Sequence, residues 1–141
     1  MTKEKVIINI KGFQDYEHSG NDDIGLMTEG TLASVPFGWE LAYEETALTG
    51  MEGTLATFLI EPERVTLLRT GPVCTRMVYE LGRRHHSMYN TPYGSLEVGI
   101  TTSMLDVEMG PDGGHLNVDY AIELDHAMMG QNRFRITVRK K

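Results

Sequence analysis

The sequence predicts an all-β protein, an antiparallel closed β-barrel of about eight to ten strands. Three observations carry that prediction. Apolar and polar residues alternate with period two over most of the chain, turn-forming residues interrupt the alternation at hairpin-like intervals, and no long run has the spacing of an amphipathic helix.

In chain order, the opening run Val6-Ile7-Ile8 is short and soon meets Asn9 and Lys11. Neither a signal peptide nor a membrane span is expected from it. After the turn Pro36-Phe37-Gly38, the residues Trp39, Leu41, Tyr43 and Glu45 fall on one face of an extended strand. Between Glu61-Pro62-Glu63 and Gly71-Pro72, Val65, Leu67 and Arg69 share a phase. Ahead of Pro92-Tyr93-Gly94, His85, Ser87, Tyr89 and Thr91 do the same. From Ser95 to Met109 the apolar phase runs Leu96, Val98, Ile100 and then shifts to Leu105, Val107, Met109. A one-residue slip turns every side chain over, so a β-bulge or sharp bend is expected near Ser103 and Met104, where the strand passes around the barrel.

The turn Gly110-Pro111-Asp112-Gly113-Gly114 leads into a strand with Leu116, Val118, Tyr120, Ile122 and Leu124 on one side. His115, Asn117, Asp119, Ala121 and Glu123 lie on the other. The last strand sets Phe134, Ile136 and Val138 against Arg133, Arg135, Thr137 and Arg139, one face for the core and one for water. Paired as a hairpin, these strands bring Asp119 and Glu123 to the arginines across the ladder, which gives the basic tail a structural role.

At 141 residues with 40% apolar content, the whole chain, 1–141, reads as one domain with one core. Its 13 basic against 20 acidic side chains leave a net charge of −7, which repels a phosphate backbone and disfavours nucleic acid as a partner. Cys74 is the only cysteine, so no internal disulfide is available, in keeping with a reducing cytoplasm. Nothing in its surroundings marks it as activated rather than a small buried residue. His85 and His86 are adjacent, and neighbours on a strand point to opposite faces, so they do not share a metal; His18, His115 and His126 lack ligand spacing. There is no nucleophile elbow and no phosphate-cradling glycine motif, and no cofactor is implied.

The residues that stand out are polar groups in positions where a barrel strand buries its side chains: Glu29, Tyr43, Glu45, Arg69, His85, Tyr89 and Thr91. If their faces point inward, Arg69 occupies a low-dielectric cavity beside Glu45 or Glu29, because an unpaired buried charge is too costly to keep. Met77 and Tyr79, with Tyr89, supply apolar walls. The simpler reading is a satisfied polar network that closes one end of the barrel, or a set of residues facing water.

The stretch Tyr43-Glu44-Glu45-Thr46-Ala47-Leu48-Thr49-Gly50-Met51-Glu52-Gly53-Thr54, followed by Tyr89-Asn90-Thr91-Pro92-Tyr93-Gly94-Ser95-Leu96, resembles the YwiB-like family of bacterial proteins. The likeness continues through Met77-Val78-Tyr79-Glu80-Leu81-Gly82 and Asn132-Arg133-Phe134-Arg135-Ile136-Thr137-Val138, and so covers nearly the whole chain. It implies a calycin, or lipocalin-like, barrel in a bacterial cytoplasm and brings no catalytic residues with it.

Three functions are compatible with these residues. The favoured one is a non-enzymatic barrel that takes a small amphipathic or anionic ligand inside, anchored by Arg69. The second is a filled scaffold that meets a protein partner through loops such as Gly110 to Gly114 or Asp15 to Asp23, with Met128 and Met129 as exposed contacts. The third, an enzyme using Glu45 and His85 as an acid/base pair, has the weakest support.

Overall fold

The alternating runs become ten strands: β1 (Lys3–Tyr16), β2 (Gly20–Val35), β3 (Gly38–Glu44), β4 (Leu55–Ile60), β5 (Arg64–Thr70), β6 (Thr75–Glu80), β7 (Arg84–Thr91), β8 (Gly94–Gly110), β9 (Gly113–Leu124) and β10 (Ala127–Lys140). The computed structural model describes residues 3–16, 20–45, 53–71, 74–91, 94–125 and 127–141, and the side chains of these except 13–16, 20–24, 89–91 and 128–129. Among the described residues there is no helix.

All strands belong to one sheet in the order β6-β5-β4-β3-β2-β1-β10-β9-β8-β7, and every ladder is antiparallel. The chain is thus a meander whose first and last strands pair, Ile8 standing opposite Val138 and Ile10 opposite Ile136. The two remaining edges, β6 and β7, share no ladder. β7 pairs only with the first half of β8, as far as Thr101, and next to it Leu81, just after β6, makes a parallel bridge to Thr102. The Gly82 amide donates to the Thr102 carbonyl at 3.2 Å. The result is a nearly closed barrel, with the chain just after β6 joined to β8 at Thr102, next to the last residue that β7 pairs.

Register fixes which side chains enter. Val6, Ile8, Leu32, Leu41, Ile60, Val65, Ile100, Leu116, Val118, Ile136 and Val138 fill the interior and are almost wholly removed from water. Each such side chain contributes about 1.5–3 kcal/mol of transfer free energy. The bulge expected near Ser103 is present, because the β8–β9 register shifts between Thr102 and Met104. It keeps Ile100 and Thr102 on one side of it, and Leu105 and Val107 on the other, all facing inward opposite the inward residues of β9. A second irregularity, between Met128 and Gly130 on β10, has no phase slip to announce it in the sequence.

The hairpin of β9 and β10 pairs Asp119 with Arg133, and Asp119 Oδ1 receives Arg135 Nη1 at 2.9 Å and Arg133 Nε at 3.3 Å. Glu123, expected to join them, instead pairs with Arg84 on β7, because β8 lies between those strands and is bare there: the residue opposite Glu123 is Gly99. Cys74 is exposed rather than buried, its thiol near the Gly71 carbonyl at 3.4 Å. Turn geometry demands glycine at Gly113, where φ is +114° and a Cβ would run into the Val138 carbonyl.

Candidate functional site

Beyond the packed core the barrel interior opens toward one end. Where β1, β3, β5 and β9 run out of the sheet and β2, β6 and β10 enter it, the interior widens into a pocket of about 340 Å³. Apolar walls come from Ile10, Phe58, Leu67, Met77 and Ile122, and Tyr43, Tyr79, Tyr120 and Phe134 add rings to them. The rings pack edge to face, Tyr79 with Tyr120 at 4.9 Å between centroids and Tyr79 with Phe134 at 5.4 Å. Phe134 also tilts against Phe58 at 6.0 Å. This aromatic layer forms the floor between the pocket and the filled half.

Alternation along β3 and β5 brings the polar groups in. Tyr43 stands opposite Ala56, and Ala56 stands opposite Arg69, so all three face inward, and Glu45 follows Tyr43 in phase at the end of β3. The Arg69 guanidinium donates from Nε to Glu45 Oε1 at 3.4 Å; the Glu45 side chain is only 2% exposed and that of Arg69 18%. Burial raises the Tyr43 phenol pKa far above the ordinary value, and the nearby Glu45 carboxylate raises it further. Tyr79 is raised likewise by burial, with the neighbouring Tyr120 as a further cause. No other described residue takes the two Nη nitrogens of Arg69. Beside it in register is Thr75, whose buried hydroxyl has no partner among the described residues.

Four residues singled out from the sequence, Tyr43, Arg69, Met77 and Tyr79, line this pocket together, with Glu45 bonded behind Arg69. Glu29 does not join them. It lies opposite Ile7 on the outer face of the β1–β2 ladder, 65% exposed, and its carboxylate meets Lys141 at 2.9 Å. The expectation that Glu29 is a barrel-interior ligand residue is therefore corrected. Its run, Gly25 to Thr31, carries small or polar residues on both faces, so only the pairing with β1 decides which side faces in.

His85 has the inward phase, opposite Ile100, but sits near the seam, where its Nε2 meets Glu80 Oε1 at 2.9 Å with the ring 31% exposed. It does not line the pocket, so Glu45 and His85 hold different partners and form no acid/base pair. Tyr89 and Thr91 share its phase along β7, but their side chains lie outside the described residues, as do those of Met128 and Met129 and all of His18 and His126. No cluster of candidate metal ligands occurs among the described residues.

Sequence reasoning overlooked Asn132. It precedes Phe134 by two residues and pairs with Tyr120, so it shares the inward face of β10, and it is 8% exposed. Its Nδ2 donates to Tyr120 Oη at 3.3 Å, and its Oδ1 has no partner among the described residues. The signal was available, since extending the Phe134, Ile136, Val138 phase back by two lands on Asn132.

The crystal structure of the ywiB protein from Bacillus subtilis is similar over 99% of this chain and 93% of that chain, with a TM-score of 0.82 at 14% identity. At that identity the likeness is one of fold. No curated protein matches the chain. A family model described as a domain of unknown function, DUF1934, matches residues 8–136 and so spans the barrel from β1 to β10. In sequence and in fold, the chain belongs to the DUF1934 family, a YwiB-like family of unknown function.

Proposed function

We propose that this protein is a non-enzymatic binding protein that takes a small amphipathic anion into the open half of its barrel. The observation that carries the reading is the state of Arg69. Its charge is kept in the interior by Glu45, one donor is committed to that carboxylate, no other described residue takes the two Nη nitrogens, and the side chain lines an apolar-walled pocket. A guanidinium fork matches an oxyanion bidentately, and such a bond strengthens where water is scarce. The aromatic and aliphatic walls would cover the apolar body of the ligand. A volume of about 340 Å³ falls at the lower end of the usual range for small-molecule sites. Calycin barrels take ligands at an open end in the same general way, which adds support by analogy of fold alone. The cytoplasm, the expected location for a chain with one cysteine, would supply metabolite carboxylates of this size.

Fluorescence titration with anilinonaphthalene sulfonate, an amphipathic anion, tests the proposal. Wild-type protein should bind it in the folded state with one saturable site, and Arg69→Met should weaken binding about tenfold or more while melting as a folded protein. Equal binding by both proteins would contradict the anchoring role of Arg69.

A further inference from the structure

We infer that the outer face of β3 to β6 is an interaction surface for a second copy of this chain, joined by a two-fold axis that lies between β4 and β5 and runs parallel to them. The inference is independent of the ligand reading above, since it concerns the other side of the sheet.

Register builds the surface. The outward residues of these strands stand in rows: Glu40 with Leu59, Thr66 and Val78, then Ala42 with Thr57, Leu68 and Arg76, then Glu44 with Leu55 and Thr70. Three leucines and a valine therefore point outward from strands whose other face supplies the core, where alternation ordinarily sets polar groups. Phe37, 54% exposed, joins Leu59 and Leu68 along a groove of about 470 Å³, and Leu55 is exposed beside it in the sheet. A contiguous apolar strip of this kind on a water-facing sheet marks a contact surface.

The charges around the strip choose the occupant. Glu61 holds Arg64 at 3.2 Å, and Glu80 meets His85 and Arg83, so those groups are balanced within the chain. Glu63 lies in the turn between β4 and β5, beyond the strip. What rims the strip is Glu40 and Glu44 on β3 and Arg76 on β6, acid on one side and base on the other. The two-fold axis lays β3 of one copy over β6 of the other, and β4 over β5, and leaves the level along the strands unchanged, so every contact is made twice. Arg76 is level with Ala42, and the second copy's Arg76 therefore falls between Glu40 and Glu44. Leu68 is level with Thr57, so the second copy's Leu68 falls between Leu55 and Leu59. The two faces interdigitate, with apolar groups at the centre and long charged groups at the rim, where the curvature of the barrels parts the copies. An acidic or a basic partner of another kind would match only one side of the strip.

Sedimentation velocity on the full chain at about 100 µM tests the surface. Wild type should sediment at twice the chain mass of 15.8 kDa. Arg76→Glu should weaken the dimer by about tenfold or more, because it sets like charge against Glu40 and Glu44. Glu40→Arg combined with Glu44→Arg should do the same by facing Arg76 with like charge. Mixed in equal amounts, these two variants should re-form the dimer, since each supplies the charge that the other lacks. Leu68→Asp should leave a monomer, because it places a charge at the apolar centre of the contact. A monomeric wild type at that concentration would overturn the proposal and leave the face to a different protein, and this arm needs no variant to fold. A dimer that Arg76→Glu and Leu68→Asp both leave intact would overturn it as well, by placing the interface elsewhere. Charge-reversed variants that stay monomeric on mixing would overturn the two-fold pairing.

Discussion

Arg69 Nε donates to Glu45 Oε1 at 3.4 Å from the far side of β4, two strands apart in the sheet and 24 residues apart in the chain. The contact joins the outgoing ends of β3 and β5 on the inner face, and it keeps a cation where the barrel is apolar. Removing one partner leaves the other uncompensated. Glu45→Gln should cost roughly 2 kcal/mol in urea unfolding, less than the 3–5 kcal/mol of a fully buried pair because Arg69 reaches water through the pocket. The double variant Glu45→Leu with Arg69→Leu should return to within about 1 kcal/mol of wild type, since apolar replacement of both charges removes the desolvation cost.

Phe134 meets Phe58, Tyr79 and Tyr120, and so ties β4, β6 and β9 together through β10 at the floor of the pocket. Phe134→Ala should cost about 3–5 kcal/mol, whereas Met77→Leu on the wall should cost less than about 1.5 kcal/mol because it conserves volume. Equilibrium unfolding of the two variants checks the contrast.

Two glycines with left-handed φ should respond differently to alanine. At Gly82, φ +75°, a Cβ meets open space, so Gly82→Ala carries only the conformational cost of about 1 kcal/mol. At Gly113, φ +114°, the Cβ also strikes the Val138 carbonyl of the β9–β10 ladder, and Gly113→Ala should lower the melting temperature by clearly more than Gly82→Ala.

Titration should behave asymmetrically. Glu80 is held below its ordinary pKa of 4.5, first by the hydrogen bond from His85, which outweighs the opposing effect of burial, and further by Arg83. A depressed carboxylate stabilises the fold above its unfolded pKa, and that contribution is lost as pH falls through the folded value. NMR titration should therefore place Glu80 below 4.5 in wild type and return it toward 4.5 in His85→Ala. Tyr43 and Tyr79 shift the other way, raised by burial, so their contribution is intact below the unfolded phenol pKa near 10.0 and is lost as pH rises beyond it. Alkaline absorbance titration should find these two silent until the barrel unfolds.

Much of the architecture was legible because an inward residue on a twisted sheet announces itself by phase. The slip between Ile100 and Leu105 located the bulge, and the Trp39, Leu41, Tyr43, Glu45 phase grouped the side chains of one face of β3, which the structure turns inward. Phase fails where both faces look alike. Val6-Ile7-Ile8 is apolar throughout, and only its pairing shows that Ile7 faces out and takes Glu29 with it. His85 had the right phase but the wrong neighbourhood, because the Leu81–Thr102 bridge that brings Glu80 near it joins segments 21 residues apart in a way no local pattern encodes. The partner of Glu123 was missed for the same reason, since it depends on bare Gly99 between β7 and β9.

The central claim, an anion seated on the Arg69 fork inside the open half of the barrel, is tested most directly by NMR of the folded protein titrated with anilinonaphthalene sulfonate. The Arg69 Nε–H, the Asn132 side-chain amide and the methyls of Ile10, Leu67 and Met77 should shift together and saturate at one equivalent. Shifts confined to the outer face, at residues such as Leu59, Leu68 and Arg76, or none at all, would contradict it.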